Sequence, residues 1–416
     1  MKLQTQRRID RWLGQILCAV VSAWVGLRNL WAAPAPMPEQ PRHILVILLS
    51  EMGSIVLAGP MFGQLRQRYP QAAIHVMQLK KNQEVSKLLQ LTDGAYMHSI
   101  DDSSGASLVR DILQVSARLR SLRIDAVIDC ELFSRVSALL SFACGAPVRV
   151  GFTPHTQEGL YRGSFINHAI PYNPYQHISL QFLSLVDALQ SDSTPRSKAA
   201  PIRPLPAETG LSVPFAPGEL PAYGAQLHAD HPSAAGHRLV LMYAGGGILP
   251  ERAWPKEHYA RVAKGLCQAG FAVGLIGLKD DAALAQQLRA LIDDALCIDL
   301  TGYTRSILEL LMLFHHADLL ITNDGGPGHF ATLTPIQTMV FFGPETGKLY
   351  GPLGPRNQVL ESGIACSPCL SAYNHRLTFC DGDNQCLKRI APDPVLDQAL
   401  AFLQAQRGVQ AAAAGA

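Results

Sequence analysis

The sequence predicts an α/β fold with two doubly wound domains, each built on a parallel sheet covered by helices. Short β-branched runs alternate with segments of helical spacing, and this alternation stops in a proline-rich stretch and then starts again. The length of 416 residues also suits two domains. The chain is therefore predicted to have five parts: an N-terminal basic and hydrophobic segment at 1–40, a first domain at 41–190, a connector at 191–236, a second domain at 237–392, and a C-terminal helix with a frayed tail at 393–416.

The first domain is predicted from four apolar runs of strand length and two segments with helical periodicity between them. The predicted strands are HILVILL (43–49), AIHVMQ (73–78), AVIDC (126–130) and VRVGF (148–152), and the predicted helices span 54–69 and 107–122. The connector that follows holds eight prolines and shows little periodicity.

The second domain repeats the pattern. The predicted strands are RLVLMYAG (238–245), AVGLIG (272–277), CIDLTG (297–302), LLITND (319–324) and TMVFFG (338–343), and the predicted helices span 256–269, 280–293, 306–316 and 327–334. Parallel sheets of this kind bind ligands beyond the carboxyl ends of their strands. We therefore expect the two domains to face a cleft that is lined by both sets of strand ends.

The composition excludes nucleic acid as a partner, because 35 basic and 33 acidic residues leave a net charge of only +2. The N-terminus instead predicts a hydrophobic helix that lies at a membrane surface. Basic residues flank WLGQILCAVVSAWVGL (12–27), and this run is shorter than the roughly 20 apolar residues of a spanning helix. The alternatives are a single membrane span and a signal peptide cleaved near AAPAP (32–36).

Five strand ends carry polar residues and glycines suited to a diphosphate ligand, since free N–H groups and a cation bind such anions. The polar residues at these ends are Glu51, Ser54, Glu131, Arg252, Thr304, Asp324 and His329. Gly325 and Gly326 in TNDGGPGH would expose main-chain donors. Arg252 would contact phosphate or would be a solvated charge, and Thr304 would contact the donor or cap a helix.

The stretch TNDGGPGHFATLTPIQTMVFFGP (322–344) resembles the signature of the bacterial heptosyltransferases, glycosyltransferase family nine. The resemblance covers residues 42–400. It implies a GT-B fold of two Rossmann-like domains and inverting transfer from a nucleotide-diphosphate sugar, usually ADP-heptose, to a lipopolysaccharide-core or related glycolipid acceptor. No cofactor is required for this transfer. The resemblance assigns donor binding to the Asp324–His329 turn, with Arg252 and Thr304 nearby. The basic N-terminal flank should stay on the cytoplasmic side, so we expect the enzyme at the cytoplasmic face of the bacterial inner membrane.

One position departs from the family pattern. Where well-studied members carry the presumed catalytic base, directly after Met-Gly, this chain has Ser54. A serine hydroxyl cannot take up a proton at neutral pH. Glu51 and Glu131 are the alternative bases, and a third alternative is that neither acts.

Four clustered cysteines, Cys366, Cys369, Cys380 and Cys386, have the count of a structural zinc site. Disulfides and reduced packing thiols are the alternatives, and the acid pair Asp381 and Asp383 within this loop is interpreted as a solvated turn. The sequence thus favours a membrane-associated glycosyltransferase. A catalytically silent GT-B binding protein and a nucleotide-sugar epimerase or hydrolase remain alternatives.

Overall fold

The computed structural model describes residues 3–31, 36–49, 51–154, 160–247, 249–374 and 376–414, with the side chains of 3–9 and 406–414 excepted. The AAPAP stretch proposed as a cleavage site therefore lies mostly outside the described residues. The chain divides into two compact units, Met1–Leu211 and Ser212–Ala416.

The first unit contains six strands and a set of helices that alternate with them along the chain. The strands are β1 (His43–Leu48), β2 (Ala73–Leu79), β3 (Met97–Ile100), β4 (Ala126–Asp129), β5 (Val148–Phe152) and β6 (His168–Ile170). The helices are α1 (Leu3–Asn29), α2 (Met52–Leu57), α3 (Gly59–Arg68), α4 (Gln83–Leu88), α5 (Gly105–Ser121), α6 (Arg135–Ala143) and α7 (Ile178–Asp187).

The second unit has the same alternation. Its strands are β7 (Leu239–Tyr243), β8 (Ala272–Gly277), β9 (Cys297–Thr301), β10 (Leu319–Asn323), β11 (Gln337–Phe341) and β12 (Asn357–Leu360). Its helices are α8 (Glu219–Asp230), α9 (Lys256–Gln268), α10 (Ala282–Ile292), α11 (Ile307–His315), α12 (Gly326–Ala331), α13 (Gly347–Tyr350), α14 (Gln385–Lys388) and α15 (Pro392–Ala414).

Both sheets have the strand order of a Rossmann fold. The first runs β3-β2-β1-β4-β5-β6 and the second β12-β11-β10-β7-β8-β9, and all neighbouring strands are parallel. The central strands are buried on both faces, which explains their continuous apolar runs. The order reverses between β1 and β4 in one sheet and between β7 and β10 in the other. Ligands of such sheets bind beyond the strand ends at this reversal.

The N-terminal helix is present as α1 and packs on α6. The Asp10 carboxylate accepts the N–H groups of Arg135 and Val136, each at 2.9 Å. Cys18 and Val25 lie in a buried cluster with residues of the first unit. Across the described part of the chain, no helix combines the length and apolar character needed to cross a bilayer.

Several elements differ from the sequence-based prediction. The predicted helix 54–69 is split at Ala58 into α2 and α3, and the short strands β3, β6 and β12 were not predicted. The connector contains α8, where His316 Nε2 faces the Leu220 carbonyl oxygen at 2.8 Å. Residues 212–236 therefore fold with the second unit. The predicted frayed tail is helical to Ala414, in keeping with the high helix propensity of alanine.

Candidate active site

Four of the five predicted strand ends lie at the points where the two strand orders reverse. Glu51 follows β1 and Glu131 follows β4 in the first unit, while Arg252 follows β7 and Asp324 follows β10 in the second unit. Thr304 follows the edge strand β9 instead. Thr304 therefore lies at the edge of the second sheet, whereas the other candidates lie at the central strands where the order reverses.

The two turns at the reversal in the second unit are joined by Asn323, the last residue of β10. Its Oδ1 accepts the Trp254 N–H at 2.9 Å and the Tyr259 hydroxyl at 3.1 Å, and its Nδ2 donates to the Gly245 carbonyl at 2.9 Å. Asn323 is 1% exposed. The asparagine therefore holds the loop after β7 against the end of β10, a role that the sequence analysis did not assign to it.

Arg252 lies in a buried cluster of alternating charges. Its Nε is 3.2 Å from Asp324 Oδ2, and its Nη2 donates to Glu345 Oε2 at 2.5 Å. Glu345 Oε1 is in turn 3.1 Å from Arg376 Nε. Arg252 is only 7% exposed, so the alternative of a solvated charge is wrong. Glu345 directly follows the quoted FFGP run, but no local pattern marks it as the partner of a residue 93 positions earlier.

The turn that follows β10 is open around its glycines. A Cβ on Gly325 would meet nothing closer than 3.9 Å, and one on Gly326 nothing closer than 3.5 Å. The packing of the protein itself thus does not require glycine at either position. Gly325 precedes α12, which has proline in its first turn and includes the buried His329. The first N–H groups of a helix have no partner within the helix and suit an anion.

Thr304 is not the helix N-cap, because Ser306 takes that position. The Ser306 hydroxyl accepts the Glu309 N–H at 3.1 Å at the start of α11. Thr304 lies two residues earlier and is half-buried. The helix-capping alternative is therefore wrong for this residue.

The candidate bases of the first unit lie at adjacent strand ends. Glu51 is the exposed N-cap residue of α2, and its carbonyl accepts the Ser54 N–H at 3.0 Å. Glu131 is half-buried, and its Oε1 accepts the Leu49 N–H at 2.7 Å. The Glu131 side chain therefore links the end of β4 to the end of β1.

Arg162 organises the loop that carries Glu131. Its guanidinium pairs with the fully buried Asp129 and donates to the Glu131 carbonyl at 2.8 Å and the Ser134 carbonyl at 3.0 Å. Burial raises the pKa of Asp129, and the neighbouring Arg162 opposes that shift. The sequence analysis missed Arg162, because it lies 33 residues after Asp129 in a segment without periodicity.

The cysteine cluster does not fit the predicted zinc site. In the described residues, no group of three or more histidine, cysteine or acidic side chains is arranged to hold a metal ion. All four thiols are free, with Cys366 and Cys380 exposed and Cys386 buried. Burial raises the pKa of the Cys386 thiol. The four thiols form no disulfide in this structure, but only Cys386 is buried as a packing thiol would be. Asp383 pairs with Lys388 on the surface, as a solvated turn would.

Comparisons with known proteins agree on one family. The family model described as glycosyltransferase family 9 (heptosyltransferase) matches residues 112–378. The lipopolysaccharide heptosyltransferase 2 of Salmonella typhimurium is 25% identical over 88% of this chain and 99% of its own length. The solved E. coli ADP-heptose LPS heptosyltransferase II has a TM-score of 0.66 at 22% identity, covering 88% of this chain and 99% of its own. An E. coli heptosyltransferase solved with ADP-2-deoxy-2-fluoro heptose has a TM-score of 0.54 at 17% identity, covering 86% and 99%.

Proposed function

Because this chain belongs to glycosyltransferase family 9, the heptosyltransferases, we propose that it transfers heptose from ADP-heptose to a lipopolysaccharide-core or related glycolipid acceptor. The observation that carries the proposal is the buried Arg252, held by two carboxylates beside the open glycine turn at a Rossmann reversal point. The donor follows from the ADP-heptose analogue bound by a similar protein, and the acceptor from the name of the Salmonella relative.

The second unit would bind the donor. Main-chain N–H groups at Gly325 and Gly326, together with the Arg252 guanidinium, would meet the diphosphate, whose negative charge grows as the sugar leaves. Asp324 and Glu345 would hold the guanidinium in a fixed orientation, so that little reorganisation is needed during the reaction. His329 and Thr304 would contact other parts of the donor.

The first unit would supply the base that takes the proton from the acceptor hydroxyl. Glu51 suits this role better than Glu131, because the Glu51 side chain is exposed whereas Glu131 is half-buried. Ser54, at the position of the family base, would only line the site. Attack from the face opposite the diphosphate would invert the anomeric centre.

Separate substitutions test the base. Glu51→Gln should lower kcat by about 10²–10⁴-fold with donor affinity unchanged, since general-base catalysis contributes that range. Glu131→Gln should retain most of the turnover. Equal turnover of wild type and both variants would exclude a glutamate base at either position.

Donor binding is tested with ADP-heptose, other ADP-sugars, GDP-sugars and UDP-sugars. ADP-heptose should bind most tightly, and Asp324→Ala should weaken it by about 10- to 100-fold, the value of one or two charge-assisted contacts. Asp383→Ala, an exposed acid of the same unit, is the matched control. Preference for a GDP- or UDP-sugar, or unchanged binding by Asp324→Ala, would refute the donor assignment.

Transfer would require no metal, since the guanidinium and main-chain donors supply the positive charge at the diphosphate. Activity should therefore be the same with EDTA and with added Mg²⁺ or Zn²⁺. Loss of activity in EDTA, restored by one of these ions, would contradict this part of the proposal. A lipid-linked acceptor would also bring the enzyme to a membrane surface, which we expect to be the cytoplasmic face of the bacterial inner membrane.

A further inference from the structure

The helix α1 has an apolar stripe that nothing in the described residues covers. Its opposite face is docked on α6 through Asp10 and on the buried cluster around Cys18. The stripe residues recur every three or four positions and are each at least 52% exposed: Leu13, Ile16, Val20, Trp24 and Leu27 in α1, with Trp31 in the turn that follows the helix. An amphipathic helix with aromatic residues on its apolar face is typical of a membrane interface.

A pocket of arginines lies at the C-terminal end of this stripe. The cavity has a volume of about 550 Å³ and is lined by Arg28, Arg120, Arg123 and Arg149, together with Trp24. The one carboxylate in the lining, Asp125, already accepts the N–H groups of Arg42 and His43 at 2.6 and 3.0 Å. The pocket therefore carries a clear excess of positive charge.

Three of the four arginines of the pocket make contacts with groups that are not acidic. Arg120 Nε donates to the Ala143 carbonyl at 2.6 Å, and Arg149 Nε donates to the Phe165 carbonyl at 2.8 Å. Arg28 lies 5.7 Å from the centre of the Trp24 ring. Among the described residues, none of the four lining arginines forms an ion pair with a carboxylate. Burial, and secondarily Arg28, lowers the pKa of Arg149 to about 10, and a bound anion would relieve that repulsion.

We propose that this arginine pocket binds the phosphate headgroup of an anionic phospholipid while the α1 stripe lies in the membrane interface. Trp24 belongs to both surfaces, so a single lipid layer would contact them together. A soluble anion would satisfy the pocket and leave the stripe exposed. A second copy of the chain would cover the stripe without supplying the phosphate.

The proposed docking would also bring the membrane towards the strand ends that carry the two candidate bases of the proposed function. Asp10 binds the start of α6, which begins four residues after Glu131, whereas Trp24 contacts Phe142 near the end of that helix at 5.7 Å between ring centres. The helix α1 therefore runs beside α6 away from the carboxyl edge of the first sheet. A membrane along the stripe would pass close to this edge, where a lipid-linked acceptor would be presented.

Vesicle flotation of the full chain tests the proposal. Vesicles of phosphatidylcholine with phosphatidylglycerol should retain the protein, and pure phosphatidylcholine vesicles should retain much less. The exposed pair Arg28→Gln and Arg123→Gln should weaken partitioning by about 25-fold, at roughly fivefold for each arginine near an anionic surface. Leu27→Ser on the stripe should weaken it by about tenfold.

Two exposed residues of α5 provide matched controls, Arg110→Gln for charge and Leu113→Ser for the apolar surface. Equal binding to both vesicle types, or unchanged binding by the arginine pair, would overturn the pocket assignment. Inorganic phosphate that stabilises the protein against heat while vesicles do not bind would assign the pocket to a soluble anion and overturn the proposal. Concentration-dependent dimers abolished by Leu27→Ser would assign the stripe to a second copy and also overturn it. None of these results depends on heptose transfer.

Discussion

Replacing Asn323 with aspartate exchanges the side-chain NH2 group, a hydrogen-bond donor in the candidate donor site, for a carboxylate oxygen. The shape of the side chain is nearly unchanged. The two acceptor contacts to the Trp254 N–H and the Tyr259 hydroxyl survive, because a carboxylate oxygen accepts both. The donation to the Gly245 carbonyl is lost, and an anionic oxygen then faces that carbonyl where an amide nitrogen lay 2.9 Å away.

The expected cost follows from burial. A buried carbonyl that loses its donor costs about 1–3 kcal/mol, and the new charge adds its own desolvation cost because residue 323 is buried. We expect the second unit to lose about 3–5 kcal/mol of unfolding free energy, a large share of the 5–15 kcal/mol typical of a domain. Donor affinity should fall at least tenfold, because the Gly245 end of the Arg252 loop is no longer held against β10.

Urea unfolding measures the first quantity and calorimetry with ADP-heptose the second. Trp254 is the one tryptophan of the second unit, so its fluorescence reports that unit once Trp12, Trp24 and Trp31 are replaced by phenylalanine. Asn374→Asp is the matched control, since this exposed asparagine also donates to a carbonyl and should cost less than about 1 kcal/mol. A cost for Asn323→Asp no larger than for the control would refute the reasoning.

Three further predictions concern the first unit. His75 and His98 are buried in contact, and burial, followed by nearby charges, lowers the pKa of each from 6.5 to about 4. As the pH falls, the unfolded chain therefore takes up protons before the folded protein does. The free energy of unfolding should decrease between pH 6.5 and pH 4, by about 2 kcal/mol per imidazole at pH 5. An equal urea midpoint at pH 5 and pH 7 would contradict this prediction. Arg162→Met leaves the buried Asp129 carboxylate without its cation and should lower the free energy of unfolding by about 3–5 kcal/mol, measured by thermal unfolding. Adding Asp129→Asn should recover much of this loss. No recovery would show that the ion pair is not the cause. Asp10→Ala removes the carboxylate that accepts the N–H groups at the start of α6, and it should lower the free energy of unfolding by about 1–2 kcal/mol. Amide hydrogen exchange in α1 should become faster. Unchanged exchange would mean that the apolar cluster alone holds that helix.

The sequence analysis succeeded where the signal is local. The family resemblance and the glycosyltransferase function are confirmed by the comparisons, because the TNDGGPGH turn and its flanking strand are continuous in the chain. The long, strongly apolar strands were also predicted correctly, since burial on both faces leaves a continuous hydrophobic run. The three-residue strand β6 was missed because so short a run carries no periodicity.

The site was predicted as a set of strand ends, and its internal partners were not. Thr304 was considered as a helix cap, but the choice between Thr304 and Ser306 depends on which hydroxyl meets an N–H three residues later. The zinc prediction rested on cysteine count and spacing, whereas metal binding depends on whether the thiols converge and remain accessible. Spacing constrains neither condition.

The order of residues along this chain was sufficient to identify two nucleotide-type sheets, the glycine turn after β10 and a basic and hydrophobic N-terminal segment, since each depends on neighbours within a few turns or one strand. Folding alone established that Arg252 meets Glu345, that Asn323 holds Trp254, and that Arg28 joins Arg149 in one pocket. The physical reason is that charges and hydrogen-bond groups separated by tens of residues interact only after the strands have paired, and the buried environment then makes each such contact strong.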